Sequence, residues 1–255
     1  MNKNENKDLT HFGNAIISKQ EKSIKVNNVF RSVSDNYDLM NDIMSIGTHR
    51  LWKDAMVNWI SPIDSYNSFC HIDIAGGTGD IAYRLLNRFS DNFSSHIVDL
   101  NPEMINFALA KAERENFSER ISFTVGNAEN LPIKSNSIDL VTIAFGIRNV
   151  VTIENALREV FRVLKYGGRF ICLEFSDVSV PLLDKIYDYY SFNVIPELGR
   201  IIAGDLESYQ YLVESIRRFP NQKTFCEMIE GVGFDNVKWR NLSGGIATLH
   251  SAWRL

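Results

Sequence analysis

The apolar positions of this chain change period along its length. From Asn14 to Ile60 they recur at helical spacing, with Val29, Val33, Tyr37, Met40 and Met44, then Leu51, Trp52, Ala55 and Met56. Pro62 and the polar run "SPIDSYNS" then break the pattern. From residue 69 to 175, short apolar runs alternate with amphipathic segments. The runs are "FCHIDIA" (69–75), "SHIVDL" (95–100), "RISFTVGNA" (120–128), "IDLVTIAF" (138–145) and "RFICLEF" (169–175). Between them, "DIAYRLLNRF" (80–89), a segment from Asn101 to about Asn116 and "NALREVFRVLKYGG" (155–168) read as helices, the last stopped by its glycines. Asn101-Pro102-Glu103 supplies a helix start, with Asn as cap, Pro at the first helical position and an acid in the first turn. Strands alternating with helices of this length imply an α/β fold, a parallel sheet with right-handed crossovers.

After Phe175 the alternation is interrupted. Residues 177–219 are rich in aromatics, too long for a simple connection and not strand-like, so a helical insertion is expected. A helix near 221–232 follows, then "GFDNVKWRNL" and "GIATLHSAWRL", an expected antiparallel pair closing the edge of a seven-stranded sheet. The chain thus divides into a disordered tail (1–10), an N-terminal helical cap (11–62) and an α/β domain (63–255) carrying the insertion at about 177–219.

Composition narrows the partners. The 255 residues are 45% hydrophobic and 23% charged, enough for a sizeable core. A formal net charge of −4 disfavours a nucleic-acid backbone as principal partner. Cys70, Cys172 and Cys226 are scattered without a CxxC, which suits a reducing compartment, and Cys70 and Cys172, inside apolar runs, read as small buried hydrophobes. The histidines show no metal-ligand pairing, so no metal is expected. "MNKNENKDLT" has neither the apolar core of a secretory signal nor the character of a transit peptide, and no run of about 18–20 apolar residues is present. A cytoplasmic protein is expected, with contact to the inner face of the cytoplasmic membrane as a further expectation.

The chemistry begins at "DIAGGTGDIA" (73–82), where three glycines fall in four positions after an apolar run. A phosphate-cradling loop would need a lysine after the glycines, and none follows. Gly77-Thr78-Gly79-Asp80-Ile81-Ala82 does satisfy a dinucleotide pattern, with Asp99 near the offset of a ribose-binding acid. Asp80, however, stands where a pyrophosphate needs an uncluttered helix N-terminus, and no Tyr-x-x-x-Lys pair is present for hydride chemistry. S-adenosylmethionine suits the loop best. It has no phosphate, its methionyl part can approach Gly76, Gly77 and Gly79 closely, and Asp99 can accept both ribose hydroxyls. Asn127-Ala128, at the end of the next run, would bracket the adenine. All these positions lie at carboxyl ends of strands, where open α/β sheets bind ligands. Taken singly, Asp99 could be a surface cap and Asn127 a turn residue; their joint placement carries the reading.

"VFRSVSDNYDLMNDIMSIGTHRLWKD", "DIAGGTGD", "GNAENLPI", "AFGIRNV", "REVFRVLKYGGRFICLEFS", "YDYYSFNVIPELG" and "SYQYLVESIRRFPNQ" closely resemble the UbiE-type ubiquinone/menaquinone C-methyltransferases over about residues 10–255. The resemblance implies a Rossmann-like, seven-stranded class I methyltransferase sheet, with N-terminal helices and the aromatic insertion capping the site. It implies S-adenosylmethionine as cofactor and a polyprenylated benzoquinol or naphthoquinol as the carbon acceptor. Cofactor contacts carry over to Thr78, Asp99, Asn127, Ala128 and Ala144, the last standing where the family often has Ser. Tyr166 stands where Pro is usual. Substrate contacts are expected at Asn41, Met44, Asn149, Tyr190 and Asn193.

Carbon methylation needs an electron-rich ring, which a quinol supplies once a hydroxyl near pKa 10 loses its proton. Arg148 cannot be a base, but beside that hydroxyl it would depress its pKa by roughly 1–3 units. A water on Arg148, or Tyr37, would relay the proton. The competing role for Arg148 is a structural salt bridge. Two rival functions remain. A nucleic-acid methyltransferase is disfavoured by "AFGI" where amino-methylating enzymes carry [DN]PPY. A non-catalytic S-adenosylmethionine-binding scaffold of a quinone-synthesis complex is the other, alongside a methyltransferase for another small molecule. A homo-oligomer or membership of such a complex is a further expectation.

Overall fold

The computed structural model describes residues 8–32, 37–45, 47–60, 68–179 and 181–255. Its frame is a seven-stranded sheet built from β3 (Phe69–Ile74), β4 (Phe93–Asp99), β5 (Ile121–Val125), β6 (Ile138–Ala144), β7 (Leu164–Phe175), β8 (Asp235–Leu242) and β9 (Ala247–Trp253). The strand order is β5-β4-β3-β6-β7-β9-β8. β3 to β7 run parallel, while β9 is antiparallel to both β7 and β8. The expected antiparallel pair therefore closes one edge.

Helices cover both faces. α4 (Asp80–Arg88) and α5 (Pro102–Arg114) lie on one side with α3 (His49–Trp59), while α6 (Ile153–Val163) and α10 (Gln222–Gly231) lie on the other. β3 shows why both faces are filled. Ile72 and Ile74 enter the layer with Leu157 and Val160 of α6, and the alternate positions His71 and Asp73 turn toward Ser95 and Thr142 on the neighbouring strands. The Asn101 cap forms as its sequence implies, its Oδ1 accepting the Glu103 N–H at 2.8 Å.

The insertion is helical, with α7 (Pro181–Tyr189), a wider π-type turn over 190–194, α8 (Ile195–Ala203) and α9 (Leu206–Arg218). Two boundaries differ from the sequence pattern. The 155–168 helix stops at Val163, and Leu164 already begins β7. Gly167 and Gly168 sit inside that strand, beside an irregularity in its pairing with β6. Gly167 has φ +80, and a Cβ on Gly168 would lie 2.8 Å from the Lys165 carbonyl. The glycines bend a strand rather than end a helix.

The amino end also departs from expectation. Residues 9–18 form an antiparallel hairpin of β1 (Leu9–Phe12) and β2 (Ala15–Ser18), with Gly13 at φ +53 in the turn, so neither a tail through residue 10 nor a helix from Asn14 is present. The first helix, α1, is Lys19–Ser32, followed by α2 (Tyr37–Ser45). Residues 1–7 of the expected tail lie outside the described residues.

Candidate functional site

The chain runs from β3 outward to β4 and β5, then returns to the other side of β3 with β6. Connections therefore diverge beyond the carboxyl ends of β3 and β6, and a crevice opens there. Its two rims are strained. Ala75 (φ 51) and Phe145 (φ 57), each the first residue after its strand, hold left-handed backbone. They also pack closely, since a Cβ on Gly146 would lie 2.6 Å from the Ala75 Cβ. Gly146 is thus needed for the rims to meet.

The cleft is lined by Gly77, Asp99, Leu100, Asn101, Met104, Asn127, Ala128, Phe145, Gly146 and Asn149, and α1 covers it with Ser23, Val26, Asn27 and Phe30. Asp99 organises the floor. Its Oδ2 accepts the Gly77 N–H and its Oδ1 the Asn101 N–H, both at 2.8 Å. Burial raises the Asp99 carboxyl above the usual carboxylate range against these bonds, so further donors from a ligand would favour its ionised form. Asn127 Oδ1 is used locally, accepting the Glu129 N–H at 2.9 Å. Leu100, Met104 and Ala128 give the adjoining wall its apolar character.

The three glycines have three different tasks. A Cβ on Gly77 would meet nothing within 4 Å, so this residue opens into the cleft at φ +54. Gly79 (φ +81) instead lets α4 pack, because a Cβ there would lie 2.6 Å from Ile97 and 2.7 Å from Tyr83. Gly76 lies against the Asp73 carboxyl, 3.0 Å from where its Cβ would be. Gly76, Thr78 and Ala144 line a second, smaller cavity with Lys53, Asp73, Ala75, Asp80 and Ile81, and Ala75 borders both spaces. The sequence-predicted cofactor residues therefore divide between two adjoining cavities, Gly77, Asp99, Asn127 and Ala128 on the larger and Gly76, Thr78 and Ala144 on the smaller, with Gly79 supporting the loop from behind.

The expected substrate and catalytic residues are less tightly grouped. Asn149 lines the cleft, its Oδ1 accepting the Tyr211 hydroxyl proton at 3.1 Å. Asn41 and Met44 are buried in packing of α2, where the Met44 carbonyl accepts from Tyr187 and the Ile43 carbonyl from the Tyr190 hydroxyl at 2.7 Å. Asn193 is exposed on the insertion and donates to the Tyr189 carbonyl. Tyr37 opens α2, but its side chain lies outside the described residues.

Arg148 forms the structural ion pair that the sequence left open. Its Nη1 donates to Glu174 Oε1 at 2.7 Å and to the Phe145 carbonyl at 2.5 Å, with the guanidinium buried over the Phe175 ring. Burial raises the Glu174 carboxyl, and Arg148 opposes that rise. Arg148 faces a separate cleft with Tyr211, Thr10 and Lys22, across the 147–151 turn from the first. Its Nε has no hydrogen-bond partner among the described residues.

Sequence reasoning missed Lys53, Asp73 and Gly146. Lys53 and Asp73 carried legible signals, a charge on the apolar face of a helix and an acid inside an apolar strand. The closeness of Gly146 to Ala75 is tertiary and had none.

A model of the ubiE/COQ5 methyltransferase family matches residues 18–254. The ubiquinone/menaquinone biosynthesis C-methyltransferase UbiE of Bradyrhizobium sp. is 53% identical over 246 residues, 96% of this chain and 97% of that protein. Its namesake from Bartonella henselae is 52% identical over 96% and 94% of the two chains. Among solved structures, a SAM-dependent methyltransferase from Thermotoga maritima shares the fold at TM-score 0.64 and 18% identity, over 90% of this chain and all of that one. Phosphoethanolamine N-methyltransferase 2 of Haemonchus contortus, solved with S-adenosylhomocysteine, aligns at TM-score 0.60 and 16% identity over 80% of this chain and 52% of that one.

Proposed function

Since the chain belongs to the ubiE/COQ5 methyltransferase family, we propose that it methylates a ring carbon of a polyprenylated benzoquinol or naphthoquinol in ubiquinone and menaquinone biosynthesis. It is an S-adenosylmethionine-dependent C-methyltransferase. The observation that carries the substrate is identity above 50% along nearly the whole chain to enzymes named for that reaction. A non-catalytic scaffold is not favoured by the same relatives.

The residues of the cleft fit the cofactor. Gly77 leaves open space beside the Asp99 carboxylate, which takes the ribose hydroxyls. Leu100, Met104 and Ala128 supply an apolar slot for the adenine, with Asn127 at its polar edge. Bound S-adenosylmethionine supplies an electrophilic methyl group. The chain supplies alignment and, through α1, exclusion of water. In this reading the turn holding Arg148 and Asn149 meets the acceptor ring. Arg148 is paired with Glu174, so what its guanidinium lends a phenolate over a phenol falls short of the roughly 1–3 pKa units an unpaired cation gives, and Tyr37 or a water passes the proton outward.

The insertion leaves Tyr189, Phe192 and Ile201 exposed, and no helix among the described residues is long and apolar enough to cross a membrane. A cytoplasmic protein meeting the membrane surface through such side chains would reach a substrate held in the bilayer. Association with itself or with other quinone-synthesis enzymes is compatible with the same site.

The deciding experiment is anaerobic transfer of a labelled methyl group to demethylated benzoquinol and naphthoquinol acceptors, each also tried oxidised. Label in the reduced acceptors alone is the expected result and identifies the ring. Absence of label from both, with the cofactor bound, overturns the assignment. Protein left wholly in the supernatant of quinol-containing liposomes at low salt overturns the membrane contact.

A further inference from the structure

The wall of the large cleft carries an amide with one end occupied and the other end spare. Asn149 is 8% exposed and lines the cleft from the turn after β6. Its Oδ1 accepts the Tyr211 hydroxyl proton at 3.1 Å, while its Nδ2 is buried with no partner among the described residues. A buried donor left unmatched is costly, and one standing on the wall of a ligand cleft calls for an oxygen of the ligand.

Tyr211 decides which end of the amide is spare. Turned over, the amide would give Nδ2 to the Tyr211 oxygen, and the hydroxyl proton and the amide oxygen would both lose their match. Burial raises the Tyr211 hydroxyl above its usual range, so it remains a protonated donor. The tyrosine is itself held, 3% exposed on α9 with its ring stacked on Phe12 at 4.0 Å. The Asn149 backbone is also held, its N–H donating to the Gly146 carbonyl at 3.1 Å. The side-chain torsions are the freedom that Tyr211 removes. Next to Asn149 stands Arg148, whose charge is already shared with Glu174. Stabilising an oxyanion on this turn therefore leaves room for a neutral donor, whose hydrogen bond strengthens as the oxygen gains charge.

We propose that Tyr211 is a positioning residue, its hydroxyl holding the Asn149 amide so that Nδ2 meets the acceptor's ring oxygen where the phenolate develops. The inference rests on the reading that the cleft serves methylation of a quinol, and it gives α9 of the insertion a part in the chemistry without contact to the substrate.

Transfer of labelled methyl to the reduced acceptor, at saturating S-adenosylmethionine, tests this by a double-variant cycle. Tyr211→Phe keeps the ring and its stack on Phe12 and removes only the hydroxyl. It is expected to lower kcat about fivefold or more, while the Kd for S-adenosylhomocysteine changes by less than about twofold. Asn149→Ala is expected to lower kcat about tenfold or more. Adding Tyr211→Phe to Asn149→Ala should then cost less than about twofold further, because no amide is left to orient. Asn149→Asp keeps an oxygen for Tyr211 but sets a negative charge toward the phenolate, so it should be at least as slow as Asn149→Ala. Losses that multiply in the double variant overturn the proposal, as does a Kd for S-adenosylhomocysteine that weakens in step with kcat in Tyr211→Phe. Asn149→Asp protein with the wild-type kcat overturns the donor role. Wild type that binds S-adenosylhomocysteine but transfers no label overturns the functional reading itself.

Discussion

At the scale of single residues, positions two apart in the glycine loop answer to different forces. Gly77→Ala adds a methyl group to open cleft, so its cost to the fold is the left-handed backbone alone, about 1–2 kcal/mol. The same methyl group occupies ligand space, and the Kd for S-adenosylhomocysteine should rise about tenfold or more in calorimetry. Gly79→Ala pays the same backbone penalty and also strikes Ile97 and Tyr83, for about 2–5 kcal/mol in denaturant unfolding. Affinity lost more in Gly79→Ala than in Gly77→Ala, once folded protein is corrected for, would invert these roles. Arg148 needs a paired test, because Arg148→Ala leaves the Glu174 carboxylate buried and uncompensated at a cost of about 3–5 kcal/mol. Adding Glu174→Gln removes the stranded charge, so the double variant should recover most of the stability. If Arg148 favours the phenolate, methyl transfer stays low in the double variant. Recovery of turnover together with stability would leave Arg148 a purely structural residue.

At the scale of elements, the proposed cofactor cleft is closed by a helix held from outside it. Lys22 of α1 donates to the Val150 carbonyl at 2.9 Å, and Phe12 of the amino-terminal hairpin stacks on Tyr211 of α9 at 4.0 Å. Lys22→Met keeps the aliphatic stem but drops the donor, and Phe12→Ala drops the stack. Each should raise the Kd for S-adenosylhomocysteine about threefold to tenfold and speed amide exchange over 19–32, while exchange in β3 to β7 stays unchanged. Exchange that accelerates throughout the sheet would mean that the hairpin supports the fold instead of the lid. This hairpin was also the element least legible in the sequence. "LTHFGNAIIS" is short and lacks clean alternation, and its pairing is fixed by Phe12 against a helix 199 residues away in sequence. The β3 and β6 runs were legible because strands buried on both faces read as largely apolar segments. Gly167-Gly168 misled for a physical reason. A glycine pair stops a helix or bends a strand with equal ease, and only the pairing of β7 with β6 and β9 decides.

At the scale of the molecule, the proposed ligand site lies where the strand order reverses, and a row of polar side chains leads toward that point through the core. Ser95, His71, Thr142 and Asp73 bond in sequence across β4, β3 and β6, at 2.8, 2.7 and 2.6 Å. Each of the polar positions in "HIDI" and "DLVTIA" was visible as an interruption of an apolar run, but their register across three strands was not. His71 and Asp73 of the row, together with the buried His250 of β9, set how stability responds to pH. Burial lowers His71 to about 3 and His250 to about 4, so between there and the unfolded value near 6.5 the unfolded chain binds protons that the fold refuses. These groups make stability fall as pH falls, by about 1.4 kcal/mol per unit for each histidine. Asp73 has the opposite sign. Burial raises it to about 7, against the Thr142 hydroxyl, so between about 4 and 7 the fold keeps a proton that the unfolded chain releases. Its contribution is present below the unfolded value and is lost as pH rises through 7. The two slopes oppose each other between about 4 and 6.5. Asp73→Asn removes one of them and leaves the histidines, so its unfolding free energy should climb with pH more steeply than the wild type's over that window. The difference amounts to about one proton, or about 1.4 kcal/mol per pH unit. Urea unfolding of both proteins at half-unit steps from pH 4.5 to 8 measures it. Parallel profiles would show that Asp73 is ionised in the folded protein throughout, and the buried row would then hold a fixed negative charge beside the glycine loop. Profiles that diverge below pH 7 and run parallel above it would instead show a carboxyl that loses its proton near neutrality, where a cationic ligand can draw it into the ionised form.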